Sequence, residues 1–215
     1  FINMIDQWQM IIVFLSIGSM LLGSIAAIGQ KNLKRLIAYS SIGHMGYVLA
    51  GLATGSNEGI QSSIIYMIIY LLMNLAFFSC VFMMRKNDKY FENLDDLSGM
   101  SKNHPILSFS FMLILFSLAG IPPLAGFFAK FYIFKAVIEQ SMYFLAIVGL
   151  LSTVIAAFYY LRIIKIIYFD PEKEKYDTNH HLGLKVSLLV STIFILFYFI
   201  YPGFLNEIVS KIKII

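Results

Sequence analysis

The sequence predicts an all-α membrane protein, a polytopic helix bundle with six transmembrane spans of which one is discontinuous. Hydrophobic residues make up 59% of the chain and charged residues 13%, with a mean hydropathy of +0.79. This composition is typical of membrane proteins, and so are apolar runs near or above the ~20 residues that cross a bilayer. Two consecutive prolines inside the longest run, in the segment GIPPLAG at 120–126, predict the discontinuity.

The apolar runs define the spans, which we place at 8–29, 34–53, 60–84, 104–138, 142–168 and 182–201. The fourth run has about 35 residues and exceeds the ~20 that a straight helix needs. Pro122 and Pro123 lie near its middle, and proline removes an amide donor and disfavours helical geometry at the residue before it. We therefore expect two half-helices joined by unwound backbone, as at transporter ion sites; a plain kink is the alternative.

The distribution of basic residues predicts the orientation of the spans. Basic residues occupy three alternate connections, with Lys31, Lys34 and Arg35 in the first, Arg85, Lys86, Lys89 and Lys102 in the second, and Arg162, Lys165, Lys173, Lys175 and Lys185 around the third. The connections at 54–59 and 140–141 carry no Lys or Arg. By the positive-inside rule, the basic connections face the inside and Phe1 lies outside. The same distribution explains the net charge of +4 without a nucleic-acid partner.

The sequence offers no motif for binding a cofactor, a metal or nucleic acid. Cys80 is the single cysteine, which excludes an internal disulfide and a cysteine metal cluster. Asp95 and Asp96, in the segment ENLDDLSGM, are candidates for a divalent-metal site, but a solvated connection or a salt-bridged contact to another chain fits them better. We expect no redox centre in this chain. The aromatic clusters Phe127–Phe128, Tyr159–Tyr160 and Tyr198–Tyr201 are expected to face lipid or the membrane interface.

Lys130 is the principal candidate for a functional residue. It is a lone cation inside an apolar run, and Glu139 ends that run nine residues later, a distance of ~13 Å along a helix. That depth is close to half of a ~30 Å hydrocarbon core. A charged group at this depth is costly, so it indicates function; the alternative is a side chain that extends to the interface.

His44, Asn74 and Thr153 have similar depths. Each lies nine to eleven residues from the nearest basic residue of an inside connection, which corresponds to ~13 to ~17 Å. Histidine can take and give protons near neutral pH, whereas Asn74 and Thr153 are equally well explained as hydrogen bonds between helices. Because lipid would not satisfy such groups, we expect the isolated chain to present His44 and Lys130 on an open polar flank that another polypeptide covers.

Three segments together resemble one family. They are NLKRLIAYSSIGHMGYVLAGL at Asn32–Leu52, ENLDDLSGM at Glu92–Met100, and AGIPPLAGFFAKFYIF at Ala119–Phe134. These segments are similar to the antiporter-like membrane subunits of respiratory complex I, and among them to the N-type, which is subunit 2 in mitochondria. The third segment is the most specific, because it combines the double-proline break with a buried lysine.

The resemblance implies a larger fold than this chain contains. Family members have fourteen spans with two inverted five-helix repeats, each of which has one broken helix. By that pattern the chain corresponds to spans nine to fourteen, with the second repeat at 1–169 and an inside connection, final span 182–201 and short tail at 170–215. We expect another chain or segment to supply the first repeat, beside other membrane-arm subunits and the lipid bilayer.

The resemblance also implies roles for the candidate residues. Lys130 matches the central proton-carrying lysine of an outward half-channel, and His44 matches a position on the same hydrated axis. Asn74 occupies a region where relatives often have lysine, and Thr153 is a further candidate for the proton path. Lys135 is either an exit group or a side chain that extends to the interface.

The implied activity is proton translocation in NADH:quinone oxidoreductase, in a bacterial cytoplasmic or mitochondrial inner membrane. Quinone reduction elsewhere would drive charge changes at Lys130, with flavin, iron–sulfur clusters and quinone in other subunits. Two alternatives remain open from the sequence. The chain could belong to a multisubunit Na⁺/H⁺ antiporter, which has the same fold, or it could be a structural half-subunit without transport.

Overall fold

A computed structural model describes residues 5–86, 89–173, 176–177 and 181–211, so the expected positions of Phe1 and Lys175 lie outside the described residues. Its helices in chain order are α1 (Ile5–Ile28), α2 (Leu33–Ala53), α3 (Asn57–Met83), α4 (Met100–Asn103), α5 (Pro105–Ala119), α6 (Ala125–Glu139), α7 (Tyr143–Phe169), α8 (Leu182–Phe197) and α9 (Gly203–Ser210). Short 3₁₀ turns occur at Leu94–Leu97 and Tyr198–Ile200, and two-residue strands β1 (Arg85–Lys86) and β2 (Lys89–Tyr90) pair antiparallel.

Five helical segments of the described chain are long and apolar enough to cross a membrane, namely Trp8–Ile28, Leu33–Ala53, Asn57–Met83, Tyr143–Phe169 and Leu182–Ile200. Helices α5 and α6 have 15 residues each, or ~22 Å, so neither spans ~30 Å alone. Together they supply the remaining crossing. This architecture confirms the predicted membrane bundle with one discontinuous span.

Local sequence explains where the helices begin. The side chain of Asn32 accepts a hydrogen bond from the backbone amide of Arg35, and Ser56 does the same for Gly59 at the start of α3. These caps satisfy amides that have no partner within the helix. Pro105 occupies the first turn of α5, where its missing amide costs nothing.

Helices α1 and α2 pack very closely because glycines line their contact. A Cβ on Gly23 would overlap the backbone of Gly43 and Tyr39, and one on Gly46 would lie 2.8 Å from the amide nitrogen of Met20. Small residues allow helix backbones to approach in this way within membranes. The α1–α2 pair supports one side of α7, and α3 contacts both α6 and α8.

The three basic connections meet at one end of the bundle. The amide of Leu33 donates to the carbonyl of Glu92, the amide of Leu94 donates to that of Lys31, and Gly99 donates to Ile166. Lys34 Nζ lies 2.5 Å from Glu92 Oε1. The hydrogen bond from Lys34, together with one from Asn32, lowers the pKa of Glu92.

The segment that contains Asp95 and Asp96 has a structural role here. The side chain of Asp96 accepts a hydrogen bond from the amide of Asn93 at 2.9 Å, and Leu94 and Leu97 are buried. No group of three or more potential metal ligands occurs among the described residues. The segment therefore fixes the connection between α3 and α5 against the α1–α2 connection.

Candidate functional site

Lys130 lies on the second turn of α6 with its side chain inside the bundle, and only 5% of the residue is exposed. Its Nζ donates to the carbonyl oxygens of Leu118 at 3.2 Å and Ala119 at 3.0 Å. These carbonyls end α5, where a helix has no internal partners for its last acceptors and carries a partial negative charge. The break in the span therefore provides the partners of the lysine.

The geometry of the break depends on two glycines and a serine. Gly120 has a φ of +87° and ends α5, and a Cβ there would lie 3.0 Å from Cδ of Lys130. The amide of Gly126 donates to Oγ of Ser117 at 3.0 Å, and a Cβ on Gly126 would overlap the carbonyl oxygen of Ser117. Ser117 Oγ also lies 3.1 Å from the sulfur of Met73 on α3. The two half-helices are thus held together without side-chain volume between them.

Tyr47 of α2 forms another wall beside the lysine. Nζ of Lys130 lies 5.3 Å from the centroid of the Tyr47 ring, a distance at which a cation is attracted to an aromatic face. The Tyr47 hydroxyl lies 2.8 Å from both Ser152 Oγ and Thr153 Oγ1 on α7. Thr153 therefore belongs to the surroundings of Lys130 through Tyr47, and it also connects two helices.

His44 of α2 is enclosed by tyrosines from α3 and α7. Its Nδ1 lies 2.7 Å from the hydroxyl of Tyr66 and its Nε2 lies 3.1 Å from that of Tyr160, and its ring stacks on Tyr70 at 4.6 Å. Tyr160 is also hydrogen-bonded to Ser40. A neutral imidazole has one donor and one acceptor, and a tyrosine hydroxyl can serve as either. Both tautomers of His44 can consequently be satisfied in this cage.

A small internal cavity of about 10 Å³ lies between the lysine and the histidine. Its walls include the side chains of His44, Tyr47, Lys130, Ser24 and Ser40. This volume is near the lower limit for one water molecule, and a buried water needs two to four polar partners of the kind found here. The two candidate proton-transfer groups, His44 and Lys130, therefore line the same cavity.

A larger open cavity of about 470 Å³ lies on the other side of the lysine, between α6 and α7. Its walls are mostly apolar, with Phe131, Phe134 and Leu150 among them, and Lys130, Thr153, Lys135 and Glu139 are its polar members. Lys135 is exposed, and its Nζ lies 3.7 Å from Glu139 Oε1. The structure thus brings Lys130 and Lys135 to one cavity, with Lys135 near the end of α6.

Asn74 is less closely connected to the site. Its side chain is half-buried, and Nδ2 donates to the carbonyl oxygen of Tyr70, one turn earlier in α3. Tyr70 in turn stacks on His44. Asn74 therefore reaches His44 only through Tyr70.

Two expectations from the sequence are wrong. His44 is 3% exposed and Lys130 is 5% exposed within this chain alone, so they do not form an open polar flank. The carbonyls of α5 and the tyrosine hydroxyls satisfy them internally. Tyr159 and Tyr160 do not face lipid, because they are 2% and 0% exposed and the hydroxyl of Tyr160 binds His44.

Sequence reasoning also missed Tyr47, Tyr66 and Tyr70 as parts of the site. A signal was present, since Tyr47 follows His44 by three residues and Tyr66 precedes Tyr70 by four, spacings that place side chains on one helix face. Tyrosines so deep in predicted spans require polar partners.

A family comparison identifies the chain. Residues 1–156 match the model of the family described as "NADH:quinone oxidoreductase/Mrp antiporter, TM". The chain belongs to this family. Within the family it is 78% identical, over 215 residues, to NADH-quinone oxidoreductase subunit N of Pelagibacter ubique, covering 100% of this chain and 46% of that protein. It is 50% identical over 203 residues to NADH-quinone oxidoreductase subunit N of Parvibaculum lavamentivorans, a match that covers 94% of this chain and 42% of that protein. The chain thus spans less than half the length of these relatives.

Solved structures of NADH:quinone oxidoreductase and Mrp antiporter assemblies have the same fold. Respiratory complex I from Thermus thermophilus with bound aureothin matches with a TM-score of 0.78 and 28% identity, over 91% of this chain and 44% of that one. The membrane-bound sulfane sulfur reductase, an archaeal respiratory complex, matches with a TM-score of 0.82 and 27% identity. The match covers 95% of this chain and 34% of that one. The Mrp complex of Dietzia matches with a TM-score of 0.83, over 95% of this chain and 46% of that one. At 20% identity, this match supports the fold alone.

Proposed function

We propose that this chain forms the lysine-bearing half-channel of a proton-translocating membrane-arm subunit in NADH:quinone oxidoreductase. The subunit would be the N-type, with this chain equivalent to the C-terminal part and to mitochondrial subunit 2. The names of the relatives at 78% and 50% identity support the N-type. Helix α8 follows the broken span and α7, as the final span does in the fourteen-span pattern of the family.

The observation that carries the proposal is the buried Lys130 at the end of α5. In its protonated form, Nζ is stabilised by the carbonyls of Leu118 and Ala119 and by the face of Tyr47. A group that is buried with such partners can hold a proton at membrane depth, where an isolated charge is costly. Loss of the proton weakens these interactions, so a change in nearby charge can shift Lys130 between its two states.

In this proposal the small cavity lies on the approach of the proton, and Lys135 lies on its exit. On the inner side, His44 exchanges tautomers in contact with Tyr66 and Tyr160, and the small cavity lies between it and Lys130. On the other side, Lys130 and Lys135 both line the open cavity, whose walls are otherwise mostly apolar, so a proton that leaves Lys130 needs water in this cavity to reach Lys135. In this proposal the path leads from His44 through Lys130 outward past Lys135, with Thr153 and Asn74 in supporting positions.

The remaining parts of the machinery belong to other polypeptides in this proposal. The flavin, iron–sulfur clusters and quinone bind elsewhere, and their redox reactions alter charge along the membrane arm. Other membrane-arm subunits, and a chain or segment with the remaining spans of the family fold, contact this one within the lipid bilayer. The match covers 46% of the Pelagibacter protein, so the rest of that relative is long enough to contain the remaining spans.

The proposal is tested by reconstituting the assembled complex into vesicles and measuring proton uptake driven by NADH with and without Na⁺. We expect equal proton uptake in Na⁺-free buffer, because an ammonium group exchanges H⁺ and offers no oxygen ligands for Na⁺. Proton movement that stops without Na⁺ would instead identify a Na⁺/H⁺ antiporter. NADH oxidation that proceeds without any proton uptake would favour a structural role.

The tyrosine cage allows a more local prediction. Tyr66→Phe or Tyr160→Phe removes one hydrogen bond to His44, worth about 1 kcal/mol, and should slow proton pumping by roughly fivefold if that bond is needed in transfer. Tyr39→Phe is a matched control on α2, because Tyr39 is half-buried and its hydroxyl makes no hydrogen bond to the described residues. The measurement is the initial rate of proton uptake by reconstituted vesicles at equal complex content. Equal values in all three variants would remove the cage from the proton path.

A further inference from the structure

Another apolar groove, of about 500 Å³, lies between α3, α5 and α8 at the end of these helices that the basic residues predict to be the inside. Met83, Leu107 and Leu188 form its floor, and Asn103, His104 and Lys185 form its rim. We refer to it as the inside groove. It shares no lining residue with either cavity at Lys130.

The inside groove changes from polar to apolar over about one helical turn. Lys185 lies in the first turn of α8, and Leu188 and Leu189 follow about 5 Å deeper. On the facing helix, His104 immediately precedes α5, and Leu107 lies in its first turn. This polarity profile matches the boundary between lipid headgroups and acyl chains.

The rim carries the positive charge of Lys185, while His104 accepts a hydrogen bond at Nε2 from the amide of Tyr176. Lys185 is exposed, no ion pair is recorded for it among the described residues, and no Asp or Glu lines the groove there. Basic pockets between membrane helices on the inner side attract anionic lipid headgroups.

We propose that the inside groove binds a phospholipid with an anionic headgroup. The phosphate contacts Lys185 and the amide of Asn103, and an acyl chain lies against Leu107, Leu188 and Leu189. A free phosphate would leave the apolar floor without a partner. Ile106 and Leu189 are 82% and 62% exposed beside the groove, which suits a surface covered by hydrocarbon. The proposal depends on membrane insertion and is separate from proton transfer.

The test uses the assembled complex in nanodiscs of phosphatidylcholine containing phosphatidylglycerol, with bound lipid measured by native mass spectrometry after detergent exchange. Lys185→Gln should reduce retained phosphatidylglycerol about fivefold, the contribution of one lysine near an anionic surface. Leu189→Trp keeps the charge but fills the groove, and should reduce retention of both lipids. Lys31→Gln, which removes an exposed inside lysine away from the groove, should change neither.

Three outcomes would overturn the proposal. Retention in Lys185→Gln equal to that of the unmodified complex would exclude the headgroup contact. Displacement of the lipid by inorganic phosphate would indicate a free-anion site. A photo-crosslinking residue at position 189 should attach to lipid in the assembled complex, and attachment to another polypeptide would show that a protein occupies the groove.

Discussion

Replacing Lys130 with Met should abolish proton pumping, or reduce it sharply, while the complex still assembles. Methionine roughly keeps the length of the side chain but cannot carry a proton, and Lys130→Ala should act in the same way. Both changes remove a buried charge, which should make membrane insertion easier rather than harder. The measurement is proton uptake by reconstituted vesicles, normalised to the amount of assembled complex. Lys31→Met, at an exposed position of the inside connection, is the control and should pump normally.

Lys130→Arg separates charge from proton exchange. The guanidinium keeps its proton at any relevant pH, so the variant retains a cation beside α5 and still should not pump. Full pumping in the Met variant would exclude Lys130 from the proton path. Loss of pumping only in proportion to lost complex would leave Lys130 with a structural role.

The second large effect is expected from Gly126→Val. The new Cβ would overlap the carbonyl oxygen of Ser117, and backbone cannot move aside as a flexible side chain can. Overpacking of this kind typically costs 1–3 kcal/mol, and here it also separates α5 from α6 and so displaces the partners of Lys130. We expect less assembled complex and impaired pumping in the fraction that assembles.

Gly18→Val is the matched control for this change. A Cβ on Gly18 has no atom within 4 Å of it, so the same substitution meets open space on α1. Complex yield is measured by quantitative immunoblotting of native gels, and thermal stability by the loss of NADH:quinone activity on heating. Equal yield and stability for the two variants would show that the α5–α6 junction tolerates side-chain volume.

The sequence predicted the bundle and its broken span well, because both depend on local chemistry. Apolar length determines whether a helix can cross, and Pro122 and Pro123 with the neighbouring glycines determine where a helix must stop. The end of α5 at Ala119 and the start of α6 at Ala125 agree with the break predicted in the segment at 120–126. Depth along a helix is likewise a matter of counting residues, which is why Lys130, His44 and Thr153 occupy the same region.

The partners of these residues could not be predicted in the same way. Counting gives the depth of Asn74 but not the direction of its side chain, and the structure places it behind Tyr70. Tyr160 contacts His44 only because α2 and α7 adopt a particular rotation about their axes. That rotation depends on packing at sites such as Gly23 and Gly43, where α1 approaches α2. Aromatic residues are common at membrane interfaces, so composition alone favoured the wrong environment for Tyr159 and Tyr160.

Lys130 donates to backbone carbonyl oxygens, and this affects which substitutions the residues around it tolerate. Leu118 and Ala119 contribute through carbonyl oxygens, which every amino acid possesses, so most replacements there leave the two hydrogen bonds available. An alanine scan would report Leu118 as a packing residue and Ala119 as unchanged. Tolerance to substitution at these positions would therefore carry no information about their importance. Only a change to the backbone itself, such as replacing the following amide by an ester to weaken the carbonyl, would measure it.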